Sequence, residues 1–422
     1  MKYIKYTLDS GVRLVMCPMS EMKSISIGVW VGVGGRHESD EMSGISHFLE
    51  HMLFKGTKKR TAAEISRAIE GIGGNMNAFT TEESTCFYVK VMGEKVNQAL
   101  DVLADMFKEP AFHETELERE RGVIREELKM SLDVPSQHVF EILRELMWPH
   151  QSLGRNLVGT EETIRHMKRE HLFQFKDQNY TADNIVISIA GKMKSSEVKH
   201  DVEKKFAFLK NRGKPVFIPA DEKQHKPEIK IFRKKTEQTH FCIGVRAYRK
   251  NHPDRFAQRI LNAILGENMS SRLFQQIREK MGLSYDISSN MERFQDTGSM
   301  LVAGAVDERN LVKAIQAVLG ELVKLAQVKV SSDELAMAKE YCVGQAGLGM
   351  ERTSNQMIYM GESELSSGRI LPFPDMVRSM RRVIREDVKK VAEDLFREGK
   401  LNLAIVGPIR EEEKLEKAFH IT

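Results

Sequence analysis

The sequence predicts an α+β protein of two homologous halves, each a largely antiparallel sheet with helices packed on one face. Three observations carry that expectation. Strand-like alternation at 24–33 and 84–92 is interspersed with amphipathic helical stretches at 42–55, 61–72, 94–107, 115–132 and 136–147. A polar stretch holding Pro215, Pro219 and Pro227 divides the 422 residues almost in half and reads as a linker. Finally, Arg165, Arg169, Glu170 and Gly191 recur 216 positions later as Arg381, Arg385, Glu386 and Gly407. Each set ends in a β-branched run closed by Gly, at 184–191 and 402–407. A period this long excludes a solenoid and fits a duplicated domain. The expected boundaries are 1–212 for the N-terminal half, 213–228 for the linker and 229–422 for the C-terminal half.

Composition excludes several classes. Hydrophobic residues make up 41% and charged residues 29%, as in a globular chain. The net charge of +4, without a basic block, gives no sign of nucleic-acid or membrane binding. No apolar run approaches a membrane span, and the charged N-terminus lacks a signal-peptide core. Cys17, Cys86, Cys242 and Cys342 stand far apart without a CxxC, so they read as free thiols in a reducing compartment. The expected location is the cytoplasm. The 23 Met form no helical stripe and read as core filling.

The chemistry concentrates on two helices. In the first, Ile45, Phe48, Leu49, Met52 and Leu53 form an apolar stripe. His47, Glu50 and His51 lie beside it at i, i+3 and i+4, neighbours on one helical face. Two imidazoles one turn apart can grip one zinc ion, and the Glu between them can take a proton from a zinc-bound water. The order H-x-x-E-H is the inverted zinc-protease signature. The bland alternative is a surface helix with two solvated imidazoles, against which the stripe argues.

A catalytic zinc site needs a third protein ligand. The acidic helix at 115–132 offers Glu120 and Glu127, two turns apart and beside the stripe of Leu117, Ile124, Leu128 and Leu132. Glu126 points elsewhere. The alternative, a set of solvated glutamates, loses ground once the imidazole pair is considered, because buried carboxylates need a cation or metal.

These residues resemble the M16 (pitrilysin) metallopeptidases, in particular the M16B branch of mitochondrial processing peptidase and its short bacterial relatives. The likeness runs through His47-Phe-Leu-Glu-His51 and its flanks, Asn77-Ala-Phe-Thr80, Leu153-Gly-Arg155, Gly159-Thr160 and Ser271-Arg-Leu-Phe274. The resemblance implies the LuxS/MPP-like metallohydrolase fold, with His47, His51 and Glu127 as zinc ligands. It makes Glu50 the general base, and gives Glu120 a supporting place in the catalytic centre. Applying the 216 offset, His47, Glu50 and His51 fall on Ala263, Gly266 and Glu267, so one zinc per chain is expected.

In the second half, Arg278 and Tyr285 match the family's substrate-holding pair. A guanidinium grips a peptide carbonyl, and a phenol donates to an oxyanion. In relatives of this size the pair serves a partner subunit's site, which implies a dimer, identical or mixed, enclosing a chamber. Asn77, Ala78 and Phe79 match the strand edge that pairs with an extended substrate. Without the resemblance, this segment is an ordinary strand edge and Tyr285 a buried helix-end residue. The expected activity is therefore a zinc metalloendopeptidase processing peptides or unfolded presequence-like segments. The rivals are a non-proteolytic subunit of an assembly and a zinc hydrolase of a non-peptide substrate.

Overall fold

Val- and Ile-rich runs become strands because branched side chains pack well on a pleated surface. The computed structural model describes residues 2–421. Its first sheet contains β1 (Ile4–Thr7), β2 (Arg13–Pro18), β3 (Ser24–Val31), β4 (Asn75–Thr80), β5 (Thr85–Met92) and β6 (Ile185–Gly191). Their order is β1-β2-β6-β3-β5-β4, and every pair is antiparallel except β2 with β6. The second sheet contains β7 (Glu228–Arg233), β8 (Thr239–Ala247), β9 (Ser284–Arg293), β10 (Gly298–Val306) and β11 (Asn402–Gly407). Its order is β7-β11-β8-β10-β9, with β7 and β11 the parallel pair. The second order repeats the first without β1, so the duplication read from the sequence is also a duplication of topology.

One face of the first sheet is covered by α1 (Ile45–Leu53), α2 (Ala62–Glu70), α3 (Val96–Lys108), the first turns of α4 (Glu114–Asp133), α7 (Arg169–Asn179) and α8 (Ser195–Lys205), with the short α6 (Glu161–His166) between. The second sheet is covered in the same way by α9 (Arg255–Leu265), α10 (Leu311–Gln327), α11 (Ser332–Met350), α13 (Phe373–Arg382), α14 (Arg385–Leu395) and α15 (Glu412–Ala418). Matched residues do matched work. Arg169 donates to the carbonyls of Ala111 and Phe112, and Arg385 donates to that of Val330.

The opposite faces bring two corrections. Each carries one further helix, so β3 is buried along nearly its whole length rather than on one side only. On the first sheet this helix is α12 (Thr353–Ser367), whose Met357 and Met360 pack with Trp30, Cys17 and Cys86. On the second it is α5 (Pro135–Met147), whose Val139, Ile142 and Leu143 pack with Cys242 and Ala404. Gly28 and Gly244, again 216 apart, lie beneath these helices. A Cβ on Gly28 would sit 2.3 Å from Met357 Sδ, and one on Gly244 would sit 2.8 Å from Leu143 Cδ2.

Consequently a single cut at 213–228, between 1–212 and 229–422, does not separate the two compact units. The first comprises 1–129, 156–218 and 347–373; the second comprises 130–155, 219–346 and 374–422. Segments 130–155 and 347–373 join the sheet they pack on, because burying apolar area decides membership rather than chain order. Leu132 is a related correction. Leu117 and Ile124 are buried as the helical stripe requires, but α4 has run past the first core by Leu132, which is exposed. All four cysteines are buried free thiols. Among the described residues no helix is long and apolar enough to cross a membrane.

Candidate metal centre

Helix α1 starts where its sequence allows the chain to turn. Gly44 adopts φ +91°, a left-handed conformation that side chains disfavour. The first N–H groups of a helix lack intrahelical acceptors. Here the buried Glu38 carboxylate supplies them, accepting from the N–H of Gly44 and of Ser46 at 2.8 Å each. An acid at a helix N-terminus also complements the helix dipole. Ile45, Phe48, Leu49, Met52 and Leu53 are then buried, and the adjoining face presents His47, Glu50 and His51.

Glu127 comes to this face from α4. Its Oε2 lies 3.7 Å from His47 Nε2 and 3.5 Å from His51 Nε2. The three donor atoms lie within 4.8 Å of one another, and no second such cluster occurs among the described residues. Tetrahedral zinc with bonds of about 2.0–2.1 Å sets its ligand atoms about 3.4 Å apart. The donor set of two imidazoles and one carboxylate therefore fits zinc in chemistry and in spacing.

Glu120 occupies the other side of His51. Its Oε2 is 3.0 Å from His51 Nδ1, and its Oε1 is 2.7 Å from Lys55 Nζ. A proton on Nδ1, donated to Glu120, leaves the Nε2 lone pair aimed at Glu127. Glu120 thus acts through His51, unlike Glu127. Burial works against a charge on His51, but the hydrogen bond to Glu120 and the charges of Glu127, Glu120 and Glu50 outweigh it and raise the pKa. His47 has no such support at Nδ1, and burial with the neighbouring His51 pushes it down to about 4. It is neutral at pH 7, the form that ligates metals.

Burial raises the Glu50 pKa, against the lowering effects of a Thr80 hydrogen bond and His51. The Thr80 hydroxyl donates to Glu50 Oε2 at 2.5 Å. Thr80 ends β4, an edge strand paired only with β5 among the described residues. Of the other β4 residues singled out in the sequence, Phe79 packs edge-on against Trp30. The Ala78 N–H is satisfied by Asn77 Oδ1 at 2.8 Å, not by a strand.

Arg278 and Tyr285 belong to the second unit. Arg278 sits on a wide helical turn, Phe274–Lys280, with its guanidinium 4.4 Å from the Tyr285 ring centre. Tyr285 is 78% exposed at the start of β9, an edge strand, and is not a buried helix-end residue. At the position corresponding to His51, Glu267 pairs instead with Arg259. Sequence reasoning missed Glu38, Lys55 and Thr80. Lys55, one turn beyond His51 on its face, was open to the i+4 rule.

Residues 15–161 match the family model described as insulinase, peptidase family M16, and residues 166–342 match the M16 inactive domain. The chain is 39% identical over 408 residues to the uncharacterized zinc protease YmxG of Bacillus subtilis, covering 96% of this chain and 98% of the relative. It belongs to peptidase family M16. An uncharacterized zinc protease of Streptomyces coelicolor is 32% identical, covering 96% of this M16 chain and 90% of its own length. The M16 fold is shared with a protease from Helicobacter pylori at a TM-score of 0.89 and 22% identity, covering 96% of this chain and 99% of that one. The inactive-domain match includes Ala263 and Gly266, which stand 216 positions after His47 and Glu50.

Proposed function

We propose that this M16 chain is a zinc metalloendopeptidase holding one zinc ion on His47, His51 and Glu127. The observation that carries the reading is the convergence of those three donor atoms within 4.8 Å, with Glu50 on the same helical face. Zinc, when bound, supplies Lewis acidity toward water and a scissile carbonyl. Glu50, made more basic by burial, accepts the proton of the attacking water and returns it to the leaving amine. Glu120 and Lys55 hold the His51 ring.

The substrate class follows from the edge of β4. An extended or unfolded peptide adds there along Asn77, Ala78 and Phe79 through main-chain hydrogen bonds, displacing Asn77 Oδ1 from the Ala78 N–H, so its sequence is read weakly. Arg278 and the exposed Tyr285 are ready to grip a substrate carbonyl and its oxyanion; by the family likeness they serve a partner chain's site in a homodimer or heterodimer with a closed chamber. The reading places this processing activity in the cytoplasm. Retention of both imidazoles, Glu50 and Glu127 weighs against a non-proteolytic subunit.

The test is cleavage of an unstructured peptide. Wild-type protein with zinc should cleave and a chelator should stop it. Glu50→Gln should bind zinc and be inert. Cleavage by Glu50→Gln at the wild-type rate would refute the assignment.

A further inference from the structure

Resting on the peptidase reading, we infer that Thr80 is a positioning residue that selects which Glu50 oxygen serves as the base. A hydroxyl carries one proton, and a carboxylate only accepts. Thr80 Oγ1 lies 2.5 Å from Glu50 Oε2 and 3.5 Å from Thr85 Oγ1. The Thr85 proton goes to the Val33 carbonyl at 3.0 Å, so it is not offered back to Thr80. The Thr80 proton thus has one strong destination, the charged oxygen of Glu50. With Oε2 engaged, Oε1 is the oxygen that takes the proton from water.

The anchor comes from a strand and not from the helix that carries Glu50. A Glu side chain has three free torsions, and a hydrogen bond to its tip removes most of that freedom. Thr80 is the last residue of β4, which among the described residues has a strand neighbour on one side only. A peptide added to that edge and the base that serves it are therefore registered to the same strand. Small displacements of a catalytic group are costly, about 100-fold for 1 Å. Thr80 contacts no reacting atom in this scheme; it acts through Glu50.

Three variants decide the matter, assayed on a fluorogenic unstructured peptide with zinc content measured on the same samples. Thr80→Val keeps the side-chain shape and removes the donor, while Thr80→Ser restores the hydroxyl. The expected result for Thr80→Val is wild-type zinc content, a wild-type KM and a kcat about 10- to 100-fold lower. Thr80→Ser should recover kcat to within a few-fold. Full kcat in Thr80→Val, or no recovery in Thr80→Ser, overturns the role of Thr80. Glu50→Gln run alongside keeps the two ideas separable. Its inertness supports the peptidase reading whatever Thr80 does, and its activity at the wild-type rate overturns that reading directly.

Discussion

His51 Nδ1 lies 3.0 Å from Glu120 Oε2, and this contact decides that the other ring nitrogen faces Glu127. Removing the partner frees the ring to rotate and to exchange tautomers. Glu120→Ala is expected to weaken zinc binding by about 10- to 100-fold, the usual cost of losing a group that orients a ligand. Glu120→Gln keeps an acceptor and should lose less. Competition against a chromophoric chelator measures both, and unchanged affinity in Glu120→Ala contradicts the role.

Lys55 offsets the charge of Glu120, whose side chain is only 7% exposed. Lys55→Met leaves that carboxylate with the imidazole as its main partner. Because Lys55 itself is partly solvated, the loss should fall between that of a surface and a buried pair, about 1–3 kcal/mol in urea unfolding of the metal-free protein. A midpoint equal to wild type would show that the pair contributes nothing.

The histidine-bearing helix was legible because i, i+3 and i+4 spacing puts His47, Glu50 and His51 on one face in any helix. The two-turn spacing offered Glu120 and Glu127 together, and only the family resemblance singled out Glu127 as the ligand. Thr80 was not, since no periodicity links residue 50 to a strand thirty positions away. Helix α12 hid for another reason. Its buried face includes Thr353, Gln356, Gly361 and Glu364, so it lacks the apolar stripe that marks a core helix. The repetition of the half, by contrast, was legible from the offset of 216, while the order of strands within each sheet was not, because pairing depends on contacts between segments far apart in the chain.

Burial pushes the His37 pKa down to about 4, and the Arg36 charge adds to the fall; the Gly34 N–H donates to Nδ1, a bond that only the ring with a free Nδ1 lone pair can accept. The folded value lies below the unfolded value of 6.5. The unfolded chain therefore binds more protons between those values, and stability falls as pH drops through that window. The contribution is at most about 3 kcal/mol. His37→Gln, which retains an acceptor for Gly34, should lose less stability than wild type between pH 7 and pH 4.5 in chelator. Equal losses would rule His37 out as the cause.

Two glycine-to-alanine changes should move stability in opposite directions. A Cβ on Gly361 of α12 would lie 2.0 Å from Trp30 Nε1, a buried ring with little room to shift. Three Trp30 ring atoms would be overlapped, so the clash falls toward the upper end of the usual range for overpacking, about 3 kcal/mol, and exceeds the roughly 1 kcal/mol of helix propensity gained. Gly344 on α11 meets nothing within 4 Å, so Gly344→Ala should stabilise by about 0.5–1 kcal/mol. Urea midpoints of both variants check the pair of signs.

The most direct test is anomalous diffraction at the zinc absorption edge from crystals of the Glu50→Gln protein. The expected result is one peak per chain, about 2.0–2.2 Å from His47 Nε2, His51 Nε2 and a Glu127 carboxylate oxygen. A zinc peak bound elsewhere, or one that His47 and His51 hold without Glu127, would contradict the account.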